Sequence, residues 1–197
     1  MPQGVQVKHV DYDDHSTLVD ALRGQDALVI FMGVTAPHDN EAKLVKAAAD
    51  AAVPWVLPNE WGVGGDDEQL GKDILFGPAK KATRGLVVSL GKSSYVAVST
   101  SFWYEWSLSY NYGFGIDLET RHAELFDDGE TKITTSTWPQ VGRAVASLLS
   151  LPVHDTSNSG KPSLDKYRND FVYVSSFRIN QKAVSYTHLT LPTKRIV

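Results

Sequence analysis

The ten residues Val53-Pro54-Trp55-Val56-Leu57-Pro58-Asn59-Glu60-Trp61-Gly62 constrain the fold more than any other stretch of the chain. A short apolar run follows an alanine-rich helical segment and is closed by Pro, Asn, Glu, Trp and Gly. It therefore reads as a buried parallel strand whose carboxyl end enters a polar turn. In an open α/β sheet, ligands bind at that end.

The flanking segments extend the pattern. Val5 to Val10 alternates and stops at Asp11, as a strand does, and Asp14 is placed to cap a helix over 16–22 that Gly24 closes. Ala27 to Met32 is apolar throughout and ends at Gly33. A run without alternation suits a parallel strand covered on both faces. Asp39 or Asn40 caps the next helix, with Leu44, Val45 and Ala48 on its buried stripe. Strand, helix, strand, helix, strand with short connections predicts right-handed βαβ units.

After Gly62 comes an acidic loop, then a helix from Pro78 or Ala79 to Leu90 and a strand over Tyr95–Val98. Ser101 to Leu108 is dense in aromatic residues. Residues 123–126 and 131–135 read as a hairpin about 127–130, and a helix follows from Trp138 to Ser150, with Pro139 in its first turn. Phe171–Val174 reads as a strand and Phe177 as the start of a helix. Residues 184–197 do not continue that helix; they read as a non-native-looking tail, similar to a translated sequencing adapter, and are set apart from the fold.

At 197 residues the chain suits one domain or a piece of a larger one. A net charge of −4, with acids and bases interspersed, offers no basic face to a phosphate backbone and argues against nucleic-acid binding. The absence of cysteine excludes disulfides, thiol nucleophiles and thiolate metal sites. The longest apolar run, Ala27 to Val34, falls far short of the ~20 residues of a spanning helix, so no membrane association is expected and the chain reads as soluble and cytoplasmic. His9, Asp11 and Asp13 alternate onto one face of an extended chain, but no distant ligand set accompanies them, and no metal is predicted.

The stretch Pro58-Asn59-Glu60-Trp61-Gly62 resembles the Pro-Ser-Glu-Phe-Gly strand end of NmrA-like and isoflavone-reductase-like proteins, atypical relatives of the short-chain dehydrogenases. Asn59 stands for the serine and Trp61 for the phenylalanine. Asp11 to Leu22 is similar to the family's Gly-Asp-Leu-x-Asp stretch and its helix, and Lys43 to Ala48 to the helix before the signature strand. The resemblance runs from Gly4 to about Ala183, and it implies an α/β fold: a Rossmann-type parallel sheet with helices on both faces. It also implies NADP or NAD as cofactor, NADPH favoured, and residues 1–152 as a partial dinucleotide-binding domain with 153–183 beginning a small substrate region.

One element of that family is missing. No Gly-x-Gly-x-x-Gly turn, which lays a pyrophosphate on a helix amino terminus, occurs in these residues. The first strand here matches the family's third, so an amino-terminal βαβα piece on the order of 50 residues is expected to be absent and the sheet incomplete. No tyrosine is followed four residues later by lysine.

The resemblance assigns roles residue by residue. Asp11 and Tyr12 fall where relatives hold the adenine end of the cofactor, although Asp11 also suits a turn. Met32, Gly33 and Val34 fall where the backbone passes the ribose and nicotinamide; glycine permits close approach there, or simply ends a strand. Pro58, Asn59 and Glu60 either line the site or form a capped turn. Phe102, Trp103, Tyr104 and Trp106 either line the nicotinamide and substrate region, Phe102 among the cofactor-binding residues, or pack in a core. A lysine on the helix over 78–90 acts in reductase members as general acid or base. Spacing back from Tyr95 puts Lys81 nearest, with Lys80 as the alternative and a solvated helix face as the plain reading. The expected function is NAD(P)H-dependent reduction of a small aromatic or secondary-metabolite substrate. The alternatives are a non-catalytic NAD(P) sensor that contacts a regulatory protein partner, and an inactive fragment.

Overall fold

The computed structural model describes residues 3–33, 35–63, 67–74, 77–110, 113–117, 119–156 and 160–190. In chain order these form α1 (His15–Leu22), β1 (Ala27–Val29), α2 (Asn40–Asp50), β2 (Trp55–Leu57), α3 (Glu68–Asp73), α4 (Gly77–Leu90) and β3 (Ser94–Ser99). Then follow β4 (Phe102–Trp103), α5 (Tyr104–Ser109), β5 (Ile116–Asp117), β6 (His122–Ala123), β7 (Ile133–Ser136) and α6 (Trp138–Leu149). A 3₁₀ turn (Leu164–Tyr167), β8 (Asp170–Tyr173), β9 (Phe177–Ile179) and α7 (Gln181–Thr190) complete the set. Two compact units divide the chain, Met1–Ser99 with Pro152–Val172, and Thr100–Leu151 with Tyr173–Val197.

The first unit carries the sheet that the opening stretch predicts. The strand order is β1-β2-β3-β8, and β2 runs parallel to both neighbours, with Leu28 opposite Val56 and Val56 opposite Tyr95. All three residues of β2 are buried, as an unalternating apolar strand requires. Leu18, Val19 and Leu22 of α1, Val45, Ala47 and Ala48 of α2 and Val87 of α4 bury their apolar faces with Ile30, Val53 and Val56 in one core.

Local chemistry sets the ends of these elements. Asp14 accepts from Ser16 N at 3.0 Å and caps α1 as expected. Asp39 stands at the cap position of α2 without a capping bond; its carboxylate pairs with Lys43 at 2.9 Å. At the other end of α2, Val53 N donates to Ala48 O at 2.9 Å and Ala52 N to Ala49 O at 3.1 Å, which is a Schellman closure. Its left-handed position is filled by Ala52 at φ 57° where glycine is usual. This closure turns the chain into β2.

Several expectations are corrected. Residues 5–10 form no strand: alternation marks an extended chain, but a strand also needs a ladder, and Val5 and Val7 are 53% and 60% exposed. The segment instead lines a groove of about 490 Å³ with Leu18, Leu22 and Leu28, and Lys8 Nζ donates to Ala21 O at 3.2 Å near the end of α1. The acidic stretch after Gly62 ends in a helix, α3, because Asp67 accepts from Leu70 N at 2.9 Å.

In the second unit the expected hairpin of 123–126 with 131–135 does not form. β6 pairs antiparallel with β5, while β7 pairs parallel with β4 and antiparallel with β9. The turn residues do bend the chain, with Asp127 at φ 52° and Gly129 at φ 73°. Leu125 and Phe126 stay exposed, however, so a hairpin would have no buried face to hold its register. The helix expected from Phe177 begins at Gln181, since 177–179 is claimed by β7. It runs on to Thr190 through residues assigned to the tail; Val184 is fully buried, and Asn180 Oδ1 accepts from Ala183 N at 2.8 Å to cap it.

Candidate active site

The carboxyl ends of β1 and β2 are tied to each other by side chains. Asn59 Oδ1 accepts from Met32 N at 3.1 Å and Asn59 Nδ2 donates to Met32 O at 3.4 Å, so a side-chain amide continues the ladder where the strands part. Trp61 Nε1 donates to Ile30 O at 2.7 Å, and the Trp61 ring meets Phe31 at 5.4 Å. Between these anchors the chain folds tightly, with Glu60 N bonded to Pro58 O at 2.7 Å and Gly62 N to Glu60 O at 2.6 Å. Two successive three-residue turns drive the Glu60 side chain inward.

Glu60 is 2% exposed, yet it is a carboxylate. A buried charge demands partners. Arg84 Nη1 bonds Glu60 Oε1 in a close ion pair, and Lys80 Nζ stands 3.9 Å from Oε2. The second oxygen, Oε2, accepts no hydrogen bond among the described residues. Burial pushes the Glu60 carboxyl above the usual range, with the Arg84 and Lys80 charges opposing. Burial likewise lowers the Lys80 amine, with the Glu60 charge opposing.

Helix α4 supplies both cations because Lys80 and Arg84 are four residues apart and share a face. The start of α4 is fixed by a close approach to α3. A Cβ on Gly77 would stand 2.6 Å from Gly71 Cα, so only glycine allows this junction. Arg84 is held from the other side by the Phe171 ring, 4.9 Å from the guanidinium carbon. From α2, Glu41 accepts from Asn59 N at 2.8 Å and from Thr83 Oγ1 at 3.3 Å, and Ser99 Oγ donates to Gly62 O at 3.0 Å.

The residues singled out by sequence fall into distinct settings. Met32, Pro58, Asn59 and Glu60 gather at the strand ends, and Gly33 beside Met32 is exposed with open space where a Cβ would stand. Val34 lies outside the described residues. Asp11 and Tyr12 belong to the turn before α1: Asp11 Oδ1 accepts from Asp13 N at 2.9 Å, and Tyr12 packs on the core. Phe102 belongs to the second unit, where it meets Phe114 at 5.2 Å. Lys81 is 68% exposed and pairs with Glu68 at the surface, whereas Lys80 is 19% exposed and faces Glu60. Arg84 and Glu41 were not singled out. A signal for Arg84 exists, since buried Val87 stands three residues after Arg84 and seven after Lys80, the spacing of one helix face. Among the described residues, no group of three or more His, Asp or Glu side chains could hold a metal, and no helix is long and apolar enough to cross a membrane.

No family model matches the chain, and no curated protein matches its sequence. Solved structures do match its fold. A triphenylmethane reductase from Citrobacter sp., crystallised with NADP(H), superposes with a TM-score of 0.66 at 18% identity over 99% of this chain and 62% of its own. An isoflavone reductase gives 0.69 at 18% identity over 94% and 58%. An NADPH-dependent quinone oxidoreductase from Escherichia coli, crystallised with NADPH, gives 0.66 at 19% identity over 95% and 60%. The chain spans about three fifths of the length of these proteins. It has their α/β fold, with a Rossmann-type parallel sheet.

Proposed function

We propose that this chain is part of an NAD(P)H-dependent reductase of the isoflavone-reductase-like group, acting on a small aromatic or secondary-metabolite substrate. The observation that carries the reading is Lys80, a largely buried lysine held beside a buried carboxylate at the carboxyl end of a parallel sheet. Ligands of such sheets bind at that end, and proteins of the same fold include a reductase crystallised with NADP(H) and a quinone oxidoreductase crystallised with NADPH.

The residues present suit the ribose and nicotinamide end of a dinucleotide, without the turn that would hold its pyrophosphate. Exposed Gly33 leaves its backbone open to close approach, and the Asn59 clasp fixes Met32 beside it. Asp11 and Tyr12 are candidates for the adenine end, and Phe102 for an aromatic wall of the substrate region. A reduced nicotinamide, when bound, supplies the hydride. Lys80 holds the proton at Nζ and gives it to the substrate atom on which negative charge develops; an amine whose proton affinity burial has lowered does this more readily than a surface lysine. Lys80, rather than Lys81, is assigned this role because Lys81 faces solvent.

Calorimetric titration with NADPH and NADH tests the reading, using this chain and a variant extended at its amino terminus by a strand, a Gly-x-Gly-x-x-Gly turn and a helix. The extended chain is expected to bind NADPH at micromolar affinity and this chain far more weakly. Failure of the extended chain to bind either nucleotide contradicts the proposal. Binding without reduction of any quinone or aromatic carbonyl acceptor favours the NAD(P)-sensor alternative.

A further inference from the structure

A buried carboxylate with one oxygen fully engaged and the other without a hydrogen-bond donor is an unusual arrangement, because each unsatisfied buried acceptor costs stability. Among the described residues, Glu60 is such a group. Arg84 takes Oε1, and Oε2 is left facing the Lys80 amine at 3.9 Å. At 2% exposure the Glu60 side chain is shut off from solvent, so its influence on chemistry at the strand ends must pass through another residue. Of its two cationic neighbours, Lys80 is the more exposed, at 19% against 13% for Arg84.

We propose that Glu60 is a positioning residue for Lys80: anchored on one oxygen by Arg84, it presents the other to the lysine amine and so fixes where that amine stands and how readily it gives up its proton. The inference rests on the assignment of Lys80 as proton donor, and it adds the device that tunes it. The charges around the amine come from every packed element: Glu60 after β2, Arg84 on α4 and Glu41 on α2. Tyr95 on β3 feels the charges of Arg84 and Glu60, and that of Asp170 on β8. Glu60 and Glu41 favour the ammonium, while Arg84 and burial favour the free amine. Removing Glu60 and removing Arg84 must therefore move Lys80 in opposite directions. A role in packing alone makes no such prediction.

The test is competitive acetylation of the whole chain across a pH series, read peptide by peptide by mass spectrometry, with exposed Lys81 as internal reference. In Glu60→Gln, Lys80 is expected to become about tenfold more reactive at a fixed pH below its midpoint, equivalent to about one pH unit. In Arg84→Gln it is expected to become less reactive by a similar factor, and Arg84→Lys should restore the parent value. Lys81 should not move in any of them. Unchanged Lys80 reactivity, or shifts of the same sign in Glu60→Gln and Arg84→Gln, overturns the proposal. Thermal melts come first: if Glu60→Gln does not fold, the direction in Arg84→Gln decides, a fall supporting the proposal and a rise or no change overturning it. Because acetylation needs no nucleotide, its outcome is independent of whether the chain proves to be a reductase.

Discussion

The side-chain amide of Asn59 grips the backbone of Met32 at both of its polar groups, 3.1 Å from the N–H and 3.4 Å from the carbonyl. The grip joins the ends of β1 and β2 where the ladder has stopped, and it sets the backbone beside Gly33. Replacing Asn59 by Ser, the residue of the family motif, shortens the side chain and gives up at least one of these bonds. The expected loss is about 1–2 kcal/mol of stability, measured by urea denaturation, with Met32 N–H exchange accelerating. No change in either quantity contradicts the ladder-closing role.

Ala52 sits in the left-handed region at φ 57° to complete the Schellman closure that leads into β2. A Cβ costs roughly 1 kcal/mol there, and glycine carries no such cost. Ala52→Gly is therefore expected to raise the thermal midpoint, even though the same change in a helix interior lowers it. A lowered midpoint would show that Ala52's methyl contributes more than the strain costs.

The buried pair gives stability a definite pH dependence. Burial raises the Glu60 carboxyl above its ordinary 4.5, so above that pH the folded chain holds a proton that the unfolded chain has released. Stability from this group is full below pH 4.5 and falls as pH rises through its folded value. Burial lowers the Lys80 amine below 10.5, so just below that pH the unfolded chain binds the extra proton, and stability from this group rises as pH climbs toward 10.5. Glu60→Gln removes the first slope and extends the second to lower pH, because it also takes away a charge that favours the Lys80 ammonium. Denaturant melts of both proteins between pH 4.5 and 7 measure the difference, and parallel curves contradict the burial account.

How much of this was legible depends on what each element needs. Strands β1 to β3 and helices α1, α2 and α4 follow from local pattern, because their apolar runs and stripes meet a core made from one another. Residues 5–10, 123–126 and 177–179 were misread because strand identity depends on which distant segment pairs, as Ile133 does with Ile179. The helix was read as stopping before Val184, where the local sequence is unpromising, but it runs to Thr190 and Val184 is buried. That Asn59 and Glu60 follow the end of a parallel strand was legible from the apolar run before them. Which of Lys80 and Lys81 turns inward was not legible from spacing back from Tyr95, since adjacent helical residues point about 100° apart. It required the helix phase, which Val87 carries.

The proton-donor assignment is tested most directly by turnover. In the chain extended with the glycine-rich segment, NADPH oxidation by a quinone or aromatic carbonyl acceptor is compared for Lys80→Met and Lys81→Met, with nucleotide affinity measured in parallel. The account predicts that Lys80→Met keeps its affinity for NADPH and loses at least about 100-fold in kcat, the lower range for a general acid, while Lys81→Met matches the parent. Full turnover in Lys80→Met, or loss confined to Lys81→Met, contradicts it.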